Sequence, residues 1–383
     1  MSVTLPQGFR ATGVAAGLKH SGDPDVALVV NDGPRHDAAG VFTSNRVKAA
    51  PVMWSRQVVS DGRVDAVVLN SGGANACTGA AGFQDTHRTA ERAAELLGLS
   101  AGDLAVCSTG LIGERLPMDA LLAGVERAVG ELSDDGGEAA ARAIMTTDTV
   151  PKQASYAGPG FTVAGMAKGA GMLAPALATM LVVLTTDAVA EPADLDAALR
   201  EGTRHSFDRV DADGCMSTND TVLLLASGAS GVSPSRAELT EAVEAVCLDL
   251  AHQLVADAEG ASKEITVEVV RAADEADALE VGRAVARSAL FKCAVHGEDP
   301  NWGRVLSALG TTKARFEPEH VAVAINGVWV CRDGGVGADR SLVDMSARAV
   351  TVTIDLGAGD TTASIWTTDL TADYVHENSA YSS

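Results

Sequence analysis

The chain has 383 residues, and 51 acidic against 29 basic side chains leave a net charge of −22. That balance argues against nucleic acid and anionic membranes as partners, since both reward basic patches. Hydrophobic residues make up 46% and aromatics only 4%, so a sizeable core is available and is built mostly from Ala, Val and Leu.

Six cysteines stand at 77, 107, 215, 247, 293 and 331. None forms Cys-x-x-Cys or pairs with His at zinc spacing, so they read as reduced cytosolic thiols, mostly in the core. The first ten residues carry no apolar signal core. The longest apolar runs have the length of a strand, well below the ~20 residues of a membrane helix. The expectation is a soluble cytoplasmic protein.

In chain order, 65–69 reads as a buried strand. Residues 85–97 read as a helix with apolar positions at three and four, stopped by Gly98. A strand follows at 104–107, then a helix at 117–132 with Pro in its first turn. Strands are expected at 160–166 and 180–186, a helix at 191–207, a strand at 221–226 and a long helix at 235–256. A strand at 264–270 and a helix at 274–289 precede a β-rich tail with strands at 321–325, 328–331, 350–354 and 362–366. The pattern predicts an α/β fold with mixed sheets packed by helices. Asp134 to Gly137 and Asp333 to Gly335 read as surface turns.

Several polar clusters stand out. Gly165 to Gly171 is neither Gly-x-Gly-x-x-Gly nor a phosphate loop, so nucleotide binding is not indicated. Lys168 sits there in a loop of small residues, close in sequence to Thr179, and reads either as a solvated lysine or as a substrate-facing one. Ser108-Thr109-Gly110 follows a strand and offers hydroxyls and backbone N–H groups to an oxyanion, although the same residues are common turn chemistry. Met145 to Thr149 offers three hydroxyls and a carboxylate for capping or binding. Asp257 and Glu259 follow a long helix, where the macrodipole disfavours acids, which suggests pairing with a substrate ammonium. His296 to Arg304 is dense in polar groups, but one His and two acids are not a closed metal set.

Gly169 to Leu184 poses a sharper question. Small and flexible residues run into an apolar strand, and Thr179 stands at the junction after Ala178. Thr commonly begins a strand. It is also a usable nucleophile when a base lies beside it, and its own α-amine serves if the preceding bond is cut.

Together, Val41 to Asn45, Asn70 to Gly79, Ser108 to Gly110, Ile144 to Thr149, Ala167 to Gly169, Ala178 to Leu181, Ser217 to Asp220, Asp257 to Gly260 and His296 to Arg304 carry a resemblance over essentially the whole chain. The sequence resembles the ornithine acetyltransferase family, also called the bifunctional glutamate N-acetyltransferase family, of arginine biosynthesis. The resemblance implies layered mixed α/β sheets that are similar to, but not connected like, those of N-terminal-nucleophile hydrolases. It implies self-cleavage between Ala178 and Thr179 into pieces 1–178 and 179–383, which stay together and commonly pair as an α2β2 heterotetramer. Thr179 is then the nucleophile, and Thr109 with Gly110 the oxyanion hole. Thr147, Lys168, Thr179, Glu259, Asn378 and Ser383 match substrate-contacting positions. Acetylornithine and glutamate are the implied substrates, ornithine and N-acetylglutamate the products, with no metal or organic cofactor. Members differ on acetyl-coenzyme A as a further donor, and no residue here decides it. The chain departs from the family pattern at Gly73, where Asn is usual, at Cys215, where Asp is typical, and at Ser383, where Thr is. Two other readings remain open at this stage: a self-processing amidase or aminopeptidase of related fold, and a small-molecule binding protein with an uncut chain.

Overall fold

Strands with an unbroken apolar run, such as Ala-Val-Val-Leu at 66–69, must be covered on both faces, and two stacked sheets between helices do this. The computed structural model of the chain describes residues 2–174 and 180–380. These form two compact units, residues 2–174, 180–208 and 215–254 in the first and residues 209–214 and 255–380 in the second.

In the first unit the elements are β1 (Phe9–Val14), β2 (Val26–Asn31), β3 (Asp37–Phe42), α1 (Ala50–Val58), β4 (Ala66–Asn70), α2 (Gly79–Leu97), β5 (Leu104–Ser108), α3 (Met118–Gly130), α4 (Gly137–Ala143), β6 (Lys152–Ala157), β7 (Thr162–Lys168), β8 (Leu181–Thr186), α5 (Pro192–His205), β9 (Thr221–Ala226) and α6 (Arg236–Ala256). Over the described residues one sheet runs β1-β2-β4-β5 and the other β3-β9-β8-β7-β6. Val67, Leu69, Ala105 and Cys107 of the first sheet share a core with Met166, Leu181, Val183, Leu223 and Leu225 of the second. The opposite face of the first sheet, with Val68, Leu104 and Val106, packs on Ala90 and Ala94 of α2 and on Leu121 and Val125 of α3. On the outer face of the second sheet, Gly165 leaves room for Leu184 of β8 and for Val246 and Leu250 of α6. The order of layers is therefore helix, sheet, sheet, helix.

β5 is an edge strand, and α1 closes its edge. Ser55 Oγ donates to the Val106 carbonyl at 2.7 Å and accepts the Val106 N–H at 2.9 Å, while Trp54 Nε1 donates to the Leu104 carbonyl at 2.9 Å. Backbone groups left bare at an edge would otherwise be unpaired in the core.

The second unit contains β10 (Glu264–Ala272), α7 (Glu275–Ala286), α8 (Ala289–His296), α9 (Trp302–Leu309), β11 (Ala322–Ile325), β12 (Val328–Arg332), β13 (Gly335–Val336), β14 (Ala349–Asp355), β15 (Thr361–Thr368) and α10 (Ala372–Ala380). Its sheet runs β13-β12-β11-β14-β10-β15, and α7, α8 and α9 supply Val281, Phe291, Val305 and Leu309 to one core with Val267, Val323 and Val352.

Most expected elements are present within one or two residues. Four expectations are corrected. The helix expected from 85 begins at Gly79, where the Asn75 side chain ties its first turn by donating to Gly82 O at 2.8 Å. The helix expected over 274–289 ends at Ala286, because Ser288 is extended and caps α8 by accepting the Phe291 N–H. The segment 134–137 is not only a surface turn, since Gly137 is buried and opens α4. Cys107, Cys247 and Cys331 are buried but Cys77, Cys215 and Cys293 are exposed, so half rather than most of the thiols lie in the core. Among the described residues no helix is long and apolar enough to cross a membrane.

Replacing Ser55 with Ala strips both partners from the Val106 peptide groups without changing an apolar contact. A loss of ~1–3 kcal/mol is expected, the cost of buried backbone groups left unpaired. Urea unfolding should show a lower midpoint, and an unchanged midpoint would mean that another group covers the β5 edge.

Candidate functional site

The ladder of the second sheet brings the sequence-predicted residues to one end. Lys168 pairs with Leu181, Leu181 with Thr221, and Phe42 with Thr221. Lys168 is thus the last residue of β7, not part of a loop as the sequence suggested, and it is only 2% exposed. Three segments that leave or enter this row, at Met180, Asp220 and Thr43, are tied to one another. Thr43 N–H donates to Asp220 O at 2.9 Å, and Thr221 N–H donates to Met180 O at 3.2 Å. Asp220 then adds its side chain, with Oδ1 accepting the Met180 N–H at 3.0 Å. The start of β8, directly after position 179, is held on both its carbonyl and its N–H.

The first sheet brings Ser108-Thr109-Gly110 to the same region. Thr109 N–H donates to Asn70 O at 3.0 Å, extending the β4–β5 pairing by one bond. Asn219, next to Asp220, donates from Nδ2 to Ser108 O at 2.7 Å and to Ala74 O at 2.6 Å. One planar amide therefore fixes the strand tip and the Gly72–Asn75 loop together. Gly110 has φ +127°, and a Cβ there would stand 2.9 Å from the Gly73 backbone, so only glycine fits. Among the described residues no hydrogen bond uses the Gly110 N–H. Thr109 is 4% exposed, and its hydroxyl oxygen accepts from Lys168 Nζ at 3.3 Å. A hydroxyl that accepts from a cation keeps its own proton for another acceptor and donates it more strongly. Gly73, the departure from the family pattern, sits where its backbone faces Gly110, so the lost side chain does not remove this contact.

Charge is organised around Asp148. Its Oδ1 accepts from Lys152 Nζ at 2.6 Å and from Gly169 N–H at 2.7 Å, and its Oδ2 accepts the Thr146 N–H at 2.9 Å. Lys152 and Asp148 are both fully enclosed. Burial pushes the Asp148 carboxyl up, but Lys168, Lys152 and the Gly169 N–H outweigh it and hold it below the usual carboxylate range. The Met145–Thr149 segment is thus bound into the protein rather than capping a helix, which places half-buried Thr147 in a fixed turn. For Asp220 the balance is opposite. Burial lifts its carboxyl well above the ordinary range, against the pull of the Met180 N–H, Lys168 and Ser217.

In the second unit Glu259 and Asn378 meet, with Asn378 Nδ2 donating to Glu259 Oε2 at 2.9 Å. Gly260 permits this, since a Cβ there would lie 2.2 Å from the Tyr374 nitrogen of α10. The polar run at 296–304 has structural partners: His296 with Asp369 at 2.9 Å, Glu298 with Lys263 at 2.8 Å, and Asn301 capping α9. Ala178, Thr179 and Ser383 lie outside the described residues. Sequence reasoning noted the Asp148 carboxylate within Met145–Thr149 but missed Lys152, and missed Asn219 and Asp220 as individual groups. The signal for the last two was an Asn-Asp pair immediately before a strand rich in Leu and Val.

Among the described residues, a backbone N–H without a partner and a hydroxyl polarised by a buried cation lie at the tip of β5, which fits the acyltransferase class that the comparisons show. The chain belongs to the ArgJ family, whose sequence profile matches residues 10–383. It is 69% identical over 383 residues to the arginine biosynthesis bifunctional protein ArgJ of Streptomyces coelicolor, covering 100% of both chains. To the protein of that name from Mycobacterium tuberculosis it is 59% identical over 389 residues, covering 100% of this chain and 96% of that one. Among solved structures, ornithine acetyltransferase of M. tuberculosis complexed with ornithine is 58% identical, covering 47% of this chain and 96% of that one with a TM-score of 0.44. The ArgJ structure from Bacillus halodurans is 33% identical, covering 51% and 97% with a TM-score of 0.49. The chain is an acyltransferase of arginine biosynthesis.

Lys152→Met should be strongly destabilising, by about 3–5 kcal/mol, because it leaves Asp148 buried without its nearest cation. The pH dependence has a defined sign. The Asp148 carboxyl is held low in the fold, so its contribution is present above the unfolded value of ~3.9 and is lost as pH falls through the lower folded value. Acid unfolding of Asp148→Asn should therefore lose part of the steep limb seen in the wild type. Equal steepness in both would remove Asp148 from that role.

Proposed function

We propose that the chain cuts itself between Ala178 and Thr179 and then carries an acetyl group on Thr179, from N2-acetyl-L-ornithine to L-glutamate. Thr179 Oγ attacks the acetyl carbonyl while its α-amine, with an ordinary pKa of ~7.7–8.0, takes the hydroxyl proton. The oxyanion accepts from the Thr109 hydroxyl and the Gly110 N–H. The amine passes its proton to departing ornithine, glutamate enters the same pocket, and attack on acetyl-Thr179 gives N-acetylglutamate. The chemistry asks for no metal or organic cofactor.

The observation that carries this reading is the pair at the tip of β5: the Gly110 N–H without a partner among the described residues, and the Thr109 hydroxyl already polarised by Lys168. Each donor is worth roughly 3–4 kcal/mol to the transition state. The ladder of the second sheet supports the cut as well. β7 would fall in one piece and β8 in the other, and their pairing from Val163 with Thr186 to Lys168 with Leu181 would keep the pieces together. We give Glu259, held by Asn378, the cationic end of ornithine, and Lys168 a carboxylate. Thr147 and Ser383 complete the substrate contacts. On this reading the mature enzyme is an α2β2 heterotetramer of the cytoplasm. Acetyl-coenzyme A would use the same Thr179 as a second donor, which an assay with either donor and glutamate as acceptor decides.

Terminal sequencing of the purified protein should show a second N-terminus beginning Thr-Met-Leu-Val, and Thr179→Ala should give a folded, uncut and inactive chain. A fully active single chain would sink the α-amine as base. A covalent intermediate in one pocket also requires ping-pong kinetics, with parallel double-reciprocal lines, and transfer to glutamate must outpace hydrolysis. Predominant hydrolysis would favour the amidase reading. Thr109→Ala should lower kcat by about 10²–10³-fold. Near wild-type kcat in a cut Thr109→Ala enzyme would return Ser108-Thr109-Gly110 to turn chemistry.

A further inference from the structure

Two buried lysines of this protein hold a carboxylate directly, Lys152 with Asp148 at 2.6 Å and Lys263 with Glu298 at 2.8 Å. Lys292 of α8 does not. It is 7% exposed, and among the described residues no carboxylate forms an ion pair with it. Its Nζ donates to the Ala212 carbonyl and, at 3.5 Å, to the Thr367 hydroxyl. Burial pushes the amine below the usual lysine range, and Asp213, Asp211 and Asp369 oppose this only from further off. A buried cation that no counter-ion touches is costly, because neither water nor an acid replaces its hydration.

The same lysine stands in the wall of a cavity of ≈ 240 Å³. The turn at 212–214, the junction of α7 and α8, and the residues from the end of β15 to Tyr374 of α10 line it, and all belong to the second unit. None of the lining residues has a part in the acetyl-transfer scheme. The neighbouring charges have other commitments. Arg287 Nε donates to Asp211 Oδ2 at 2.7 Å. Asp369 accepts the N–H groups of Ser262 and Lys263, both at 2.9 Å, and pairs with His296 at 2.9 Å. An ammonium has three donors, and the two acceptors named above leave Lys292 with one to offer. Ala212, Ala286, Ala289 and Leu370 make much of the remaining wall apolar. The volume lies below the ~300–1,000 Å³ of sites for drug-sized ligands, so the site suits a smaller molecule.

We propose that this cavity is a binding site for a small monocarboxylate, with Lys292 Nζ as its counter-ion. A carboxylate oxygen accepts the N–H that Ala212 and Thr367 leave over, and a short hydrocarbon part lies against the alanines and Leu370. Asp213 and Asp369 in the wall oppose a second negative charge, which selects against dicarboxylates and phosphate. A simple organic acid and an α-amino acid share this chemistry. They differ in the ammonium of the amino acid, which the two acids of the wall would attract. The site stands apart from the reading of Thr179, and its failure would leave that reading untouched.

The test methylates the amines of the whole wild-type protein with formaldehyde and cyanoborohydride and follows each lysine by mass spectrometry. Propionate at about ten times its dissociation constant should slow methylation of Lys292 about tenfold, in a saturable way, by mass action. The exposed Lys313 should react at an unchanged rate. L-Alanine in place of propionate separates the two sources: stronger protection by L-alanine assigns an amino acid, and stronger protection by propionate a simple acid. No saturable protection by either, or equal protection by succinate or inorganic phosphate, overturns the proposal. Lys292→Met supplies a second reading. Propionate should raise the melting temperature of the wild type and leave that of Lys292→Met unmoved, and an equal rise in both overturns the site. Should the variant not fold, the labelling of the wild-type lysine decides.

Discussion

Two adjacent side chains at the head of β9 hold the chemistry of this protein in place. Asn219 takes the carbonyls of Ala74 and Ser108, which belong to the first sheet and its loop. Asp220 takes the N–H of Met180, which begins β8 in the second sheet. Two stacked sheets are held together by apolar contacts that carry no direction, so their faces alone do not set the separation of two strand tips. Hydrogen bonds from one dipeptide do set it. The tip of β5 and the start of β8 are then held at a fixed separation without any flexible loop having to bring them there.

The charges follow from that constraint. A buried lysine is expensive unless acids meet it, and the protein distributes that task. Asp148 binds Lys152 directly, lies in the field of Lys168, and accepts the Gly169 N–H. It is thereby a fixed negative charge, whereas burial lifts the Asp220 carboxyl well above the ordinary range. Lys168 meanwhile spends a hydrogen bond on the Thr109 hydroxyl. The cation therefore polarises the Thr109 hydroxyl.

The sequence discloses the layers better than it discloses the site. β4, β5, β8 and β9 are legible because strands covered on both faces must be apolar throughout, and β2, Val26–Asn31, carries the same signal. β1 is less so. Its Arg10, Thr12 and Gly13 interrupt the pattern, and its strand character comes from six-residue pairing with β2. Thr109, Gly110 and Lys168 are legible as motif residues, but the contact that unites them, 3.3 Å across two sheets and 59 positions, is a product of register. Asn219 and Asp220 read locally as an ordinary turn before a strand. Their partners lie 111 and 40 positions away, and no local propensity encodes such a distance. The apparent loop lysine at 168 has the same explanation, since two further residues of β7 pair only because β8 is there to receive them.

The central claim is that an acetyl group passes through Thr179. Mixing the enzyme with acetylornithine in the absence of glutamate, quenching in acid and digesting for mass spectrometry tests it directly. The account predicts one added acetyl group on the peptide that begins at Thr179, on the side-chain oxygen, and its disappearance when glutamate is added before the quench. Unmodified peptide in an enzyme that turns over, or acetyl carried on another residue and discharged by glutamate, would contradict it.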